Sequence, residues 1–316
     1  MRIVFMGTPA FALPALQRLV ESEYEVVAVY TPPDRPAGRG RQPAPSPVKA
    51  KALEYGLPVR QPQRVSAPDD AAELAALKPD LIVVAAYGQL LRQRVLDIPP
   101  KGVINIHPSL LPRHRGASPV AGAILAGDDE TGVTIMLLTP GMDEGPILSQ
   151  ARLAIEPDDT TGTLLNKLSV LGADLLMETL PAYLGGRLTP QPQDEAKATY
   201  TTMVQKEDGH IDWQVPAVDI WRRVRAYNPW PSAFARYDET LIRILRAFPL
   251  QEESAQPAGT VLPPPKGAGK ALEGAFAVQT GKGMLAVLEV QKEGRRALPA
   301  AEFLRGERGF LGRRLH

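Results

Sequence analysis

Val103-Ile104-Asn105-Ile106-His107-Pro108-Ser109-Leu110-Leu111-Pro112, closed by Arg115-Gly116, is the stretch that decides the fold. Val103 to Ile106 is β-branched and apolar around a single amide, the composition of a short buried strand, and Pro108 forbids its continuation as helix or central strand. Residues two apart on an extended chain share a side, so Asn105 and His107 project together, roughly 7 Å apart along the backbone. The bland reading is a capping Asn and a satisfied loop histidine. The neighbours argue against it, because Ser109 to Pro112 is an apolar, Pro-bounded loop that suits the wall of a flat ligand better than a surface connection.

Working outward, Asp80 to Ala86 is an apolar run of the kind found in parallel strands buried on both faces, and Tyr87-Gly88-Gln89-Leu90 follows its end. At the N-terminus, Arg2 to Met6, Gly7-Thr8-Pro9, Ala10 to Val20 and Glu25 to Tyr30 read as strand, turn, helix and strand. This βαβ opening predicts an α/β domain with an open, mostly parallel, Rossmann-like sheet. After Gly7 the second and third glycines of a dinucleotide fingerprint are missing. In such sheets ligands bind outside the carboxyl ends of the strands, where two of these loops meet.

The turn Thr139-Pro140-Gly141-Met142-Asp143-Glu144-Gly145-Pro146 joins two further strands, Gly132 to Leu138 and Ile147 to Ile155, and bends tightly around Asp143. A long loop from Thr31 to Ser46 carries Arg35, Arg39 and Arg41 among Gly and Pro; it is either a grip for phosphates or an insertion with incidental charge. A leucine-rich helix opens at Asp159 or Thr160 and ends near Pro181 or Gly185. Residues 188–203, polar and Pro-bearing, are expected to link two domains, 1–187 and 204–316. The second begins with a helix over Val218 to Tyr227 and continues in short strands with turn signals, the pattern of a smaller antiparallel barrel, of which the oligonucleotide-binding type is one possibility. Asn228-Pro229-Trp230-Pro231 reads as a rigid aromatic corner, more often a packing plug than a base-stacking platform.

Composition narrows the chemistry. The 316 residues are 44% hydrophobic and 22% charged, an ordinary globular balance, and no apolar run approaches the ~20 residues of a membrane helix. A cytoplasmic monomer without membrane contact is expected. With no Cys there is no disulfide and no thiol nucleophile, and the four histidines (107, 114, 210 and 316) are not spaced as ligands, so no metal is expected. Residues 200–316 hold 17 Lys and Arg against 13 Asp and Glu, a modest tilt toward phosphate-bearing partners or plain surface charge.

If Asn105, His107 and Asp143 converge, they supply an amide donor, an acid or base near neutral pH and a carboxylate, with no side-chain nucleophile. That set suits direct transfer between two bound substrates, with Asn105 and His107 at the oxyanion and Asp143 orienting His107. Asn105-x-His107, Ser109 to Pro112 with Arg115-Gly116, and Met142-Asp143-x-Gly145 together resemble the folate-dependent formyltransferases, whose triad is Asn, His and Asp at these spacings. Asp34 to Gly40, Pro45 to Lys49, Val84 to Gly88, Asp212-Trp213 and Arg225 to Pro231 extend the resemblance along nearly the whole chain.

The resemblance implies that 10-formyltetrahydrofolate gives its formyl group to the α-amine of methionine on initiator tRNA, for initiation of translation. It implies a pterin site at Tyr87, Gly88, Gln89, Leu90, Leu138 and Thr139, with Ser109, Leu110, Leu111 and Pro112 nearby. Arg35, Arg39 and Arg41 would meet the tRNA acceptor stem, and the C-terminal barrel would hold the tRNA body. A formyltransferase acting on another amine, an amino sugar or a nucleotide precursor, would share the first domain and the triad without needing the arginine loop. An RNA-binding protein with a degenerate enzyme domain would leave the triad without purpose.

Overall fold

The computed structural model describes residues 1–37, 42–264 and 272–316, with backbone alone for 35–37 and 42–43. Its contacts divide the chain into two units, one of residues 1–119, 130–154 and 165–201, the other of 120–129, 155–164 and 202–316.

The first unit opens with β1 (Arg2–Gly7), α1 (Leu13–Val20) and β2 (Glu25–Tyr30), as the strand-turn-helix-strand pattern predicts. A small hairpin, β3 (Arg35–Ala37) with β4 (Gln42–Ala44), is followed by α2 (Pro47–Glu54) and β5 (Val59–Arg60). Ser46 caps α2 by accepting from the Lys49 N–H at 3.0 Å, with Pro47 in the first turn. Next come α3 (Pro68–Ala76), β6 (Leu81–Ala85), α4 (Gln93–Leu96), β7 (Val103–His107) and β8 (Arg115–Gly116). The chain continues through α5 (Pro119–Ala126), β9 (Glu130–Leu137), β10 (Ile147–Ala154), α6 (Thr161–Leu184) and β11 (Tyr200–Thr201).

Seven strands form one sheet in the order β10-β9-β7-β6-β1-β2-β5. β7, β6, β1, β2 and β5 are parallel; β9 and β10 add antiparallel strands beyond β7. Every residue of β6 is buried, which is why it reads as an unbroken apolar run. On one face Val4, Met6, Tyr30, Ile82, Val84 and Val103 pack with Leu74 of α3.

In the second unit α7 (Ala217–Ala226) buries Ile220 and Val224 and leaves its Arg222 and Arg223 partly exposed. It belongs to one core with the strands β12 (Ala233–Tyr237), β13 (Thr240–Leu250), β14 (Val261–Leu262), β15 (Phe276–Gln279) and β16 (Met284–Lys292), flanked by β17 (Ala297–Pro299) and α8 (Ala300–Gly306). The antiparallel order is β12-β13-β16-β15-β14, with β17 on β16. The final residues join the two outer strands: His316 and Arg236 exchange backbone hydrogen bonds of 2.9 and 2.7 Å, and Val261 N–H donates to Arg313 at 2.8 Å. The C-terminal tail thus bonds both outer strands of a curled, half-barrel sheet. Phe310 fills it, edge-on to Phe303 and Phe276 at 4.9 and 5.2 Å.

The Asn228 to Pro231 corner differs from the expected plug. Trp230 is 60% exposed, because the corner is closed by backbone, Ser232 N–H to Tyr227 carbonyl at 2.8 Å, and Tyr227 is the ring that is buried.

Candidate active site

β7 carries the site. Asn105 stands opposite Val84 of β6 and Met136 of β9, and His107 opposite Thr134 of β9. Alternation puts Val103, Asn105 and His107 on the face where Val84, Tyr87 and Leu138 pack. The Asn105 side chain is half-buried and makes no hydrogen bond among the described residues, so its amide is available to a ligand.

His107 is 4% exposed. Its Nε2 lies 3.1 Å from the His114 carbonyl, which can only accept, so Nε2 carries the proton and Nδ1 is the open nitrogen of the neutral ring. Nδ1 faces Asp143 Oδ2 at 3.7 Å. Burial holds the His107 pKa below the usual 6.5, against the pull of the Asp143 charge and the His114 carbonyl. The ring is neutral at physiological pH, with a carboxylate placed to stabilise it once protonated.

Asp143 arrives from the far end of the strand. The Leu138 N–H bonds the Val103 carbonyl at 2.8 Å, at the start of β7, so the loop must run along the strand to bring Asp143 to His107. Two glycines permit this. A Cβ on Gly145 would sit 1.9 Å from the Leu137 carbonyl oxygen, and one on Gly116 would sit 2.4 Å from that of Thr201 at φ +105°. The Gly116 N–H is thereby free to bond Asp143 Oδ2 at 2.8 Å. Asp143 itself has φ +51°, a left-handed conformation that Asp tolerates better than most residues.

The residues expected at a pterin site separate into two groups. Tyr87 is 2% exposed, and its hydroxyl and that of Thr139 are buried without a hydrogen-bond partner among the described residues. Gly88 follows with φ +85°, and Leu90 is 73% exposed. Gln89, however, spends its amide on the Pro62 carbonyl (2.9 Å) and the Val65 N–H (2.8 Å). Ser109 is fully buried and donates to the Arg113 carbonyl at 2.7 Å, and its own carbonyl accepts from Thr134 Oγ1 at 2.7 Å. Leu110 packs over Gly132, Leu111 is 3% exposed with its backbone tied to Thr134 and Gln150, and a cis peptide joins it to Pro112. Ser109 to Leu111 therefore fasten the loop to β9 and β10.

Residues 193–201, within the stretch read as a linker, pack onto this centre. β11 pairs with β8, and the fully buried Arg115 bonds Gln193, Glu195 and Tyr200. No composition signal marks these residues beyond the Pro-Gln-Pro-Gln run. Arg39 and Arg41 lie outside the described residues, and Arg35 is described by its backbone in β3 alone. Among the described residues no three His, Asp or Glu cluster as metal ligands, and no helix is long and apolar enough to cross a membrane.

Residues 1–180 match the formyl transferase family model, more than half of the chain. The chain belongs to that family. Residues 203–308 of this formyl transferase match the model of the family's C-terminal domain. It is 52% identical over 317 residues to the methionyl-tRNA formyltransferase of Roseiflexus sp. (strain RS-1), covering 100% of this chain and 95% of the relative. It is 50% identical over 313 residues to that of Dehalococcoides mccartyi (strain ATCC BAA-2266 / KCTC 15142 / 195), covering 99% and 97%. Among solved structures, the N-formyltransferase of Helicobacter canadensis in complex with folinic acid and dTDP-3-aminofucose superposes with TM-score 0.67 at 16% identity, covering 92% of this chain and 98% of that one. HypX from Aquifex aeolicus gives 0.64 at 20% identity, covering 97% and 47%. At these identities the two structures share the fold alone.

Proposed function

We propose that this formyl transferase moves the formyl group of 10-formyltetrahydrofolate to the α-amine of methionine esterified on initiator tRNA, as a cytoplasmic monomer serving initiation of translation. The observation that carries the reading is likeness along the full length, about half the residues identical, to relatives named for methionyl-tRNA. Amino-sugar formyl transfer is disfavoured because the sugar enzyme shares the fold at 16% identity. We assign residues 1–187 to catalysis, 188–203 to the connection and 204–316 to tRNA.

The folate supplies a formyl group on N10. Tyr87 and Thr139, with unmatched buried hydroxyls, and Leu138 beside them offer a polar and apolar edge for its ring system. Asn105 donates to the formyl oxygen as it gains charge when the amine attacks. His107 Nδ1 takes the proton that the attacking nitrogen must shed and passes it toward N10 as the C–N10 bond breaks, while Asp143 stabilises the protonated ring. This sharpens the role read from sequence: Nε2–H is engaged by His114, so His107 acts first as base. Arg35, Arg39 and Arg41 grip phosphates of the acceptor end by charge-assisted hydrogen bonds.

The test is transfer of labelled formyl from the folate to methionyl-tRNA, with N-formylmethionine recovered after deacylation. Release of labelled formate with none on methionine would overturn the reading.

A further inference from the structure

Both neighbours of the His107 ring hang on one segment, residues 193–201. Gln193 Nε2 donates to the backbone carbonyls of Asp143 and Gly145, each at 2.7 Å. Its Oε1 accepts from the Arg115 guanidinium at 3.0 and 2.9 Å, and Glu195 holds the other edge of that guanidinium at 3.0 and 2.7 Å. On the opposite side of the ring, His114 is tied through its N–H to Thr199 Oγ1 at 2.8 Å. The Arg115 N–H bonds the Thr199 carbonyl, also at 2.8 Å.

The residue type at 193 is chemically specific. One group must offer two protons to carbonyls and lone pairs to a guanidinium; Glu lacks the protons, Lys the lone pairs, and Asn the length. Asp143 sits in a left-handed conformation that its surroundings must hold in place. The Gly116 N–H holds its carboxylate and Gln193 holds its main chain, so the two together fix the carboxylate against Nδ1.

We propose that Gln193 is a positioning residue for formyl transfer, setting Asp143 against the His107 ring and making residues 193–201 a strap across the reaction centre. The proposal rests on the catalytic reading of Asn105, His107 and Asp143 given above. The titratable groups acting on the ring are Asp143 and His114.

Two variants test it. Gln193→Glu keeps the length and the acceptor for Arg115 but turns oxygen toward two carbonyls; Gln193→Ala removes the group without adding charge. In both, kcat should fall about 10- to 100-fold through displacement of Asp143, with KM for folate and tRNA within about threefold of wild type. The ¹⁵N signals of the His107 imidazole should titrate at lower pH, because the stabilising charge has moved away. Wild-type kcat with an unshifted His107 titration in either variant would overturn the proposal. So would a loss of activity that tracks only the loss of folded protein, with the titration unmoved. Should Gln193→Ala not fold, Gln193→Glu carries the test. Wild-type protein failing to formylate methionyl-tRNA would defeat the functional reading instead, since the imidazole titration reports the position of Asp143 without substrate.

Discussion

His107 Nδ1 and Asp143 Oδ2 stand 3.7 Å apart, too far for a hydrogen bond and close enough for charge to matter. With Nε2–H on the His114 carbonyl, the arrangement leaves Nδ1 basic and readies Asp143 for the imidazolium. Asp143→Asn keeps the shape and the acceptor for the Gly116 N–H but removes the charge. It should lower kcat about 10²-fold, with the acidic limb of the pH–rate profile displaced to lower pH. Steady-state kinetics from pH 5 to 9 check both.

The pH dependence of wild type follows from the burial of His107. The proposed base must be unprotonated, and burial holds its pKa below 6.5, so kcat should hold through neutrality and fall only on the acid side of the ordinary histidine range. The fold responds with the same sign. Between the depressed folded pKa and the unfolded value the unfolded chain binds more protons, so stability present above about pH 6.5 declines as pH drops toward the folded pKa. His107→Asn should flatten that decline in urea midpoints measured from pH 7 to pH 5.

Asn105 makes no side-chain hydrogen bond among the described residues and shares its face of β7 with His107. Asn105→Ala should cost about 10²- to 10³-fold in kcat with an unchanged melting temperature, as for loss of one oxyanion donor. A kcat within a few-fold of wild type would remove it from the reaction.

Much of this centre is legible in the sequence because its determinants are local. The apolar runs of β6 and β7 and the alternation of Asn105 and His107 place the site on one sheet face, and the glycines of the Asp143 turn announce a forced backbone. The strap is illegible for a physical reason: Gln193, Glu195 and Thr199 are polar residues in a Pro-bearing segment, and what fixes them is contact with His114 and Arg115, some 80 positions away. Ser109 and Gln89 show the same limit: sequence places polar side chains beside a crevice but does not show the internal bonds they make, to the Arg113 carbonyl and to the 62–65 segment.

Gly116 touches both segments: its N–H bonds Asp143 Oδ2 at 2.8 Å, and β8, in which it lies, pairs with β11. Gly116→Ala adds a Cβ 2.4 Å from the Thr201 carbonyl at a φ of +105°. It should destabilise by about 1–3 kcal/mol and part β11 from β8. Denaturant midpoints and hydrogen exchange at Arg115 and Thr201 report the two effects separately.

The central claim is the identity of the amine that receives the formyl group. The most direct measurement is kcat/KM for methionyl-tRNA and for a nucleotide-linked amino sugar, with one enzyme preparation and one folate donor. The account predicts efficient transfer to methionyl-tRNA and none detectable to the sugar amine; transfer to the amino sugar with methionyl-tRNA inert would contradict it.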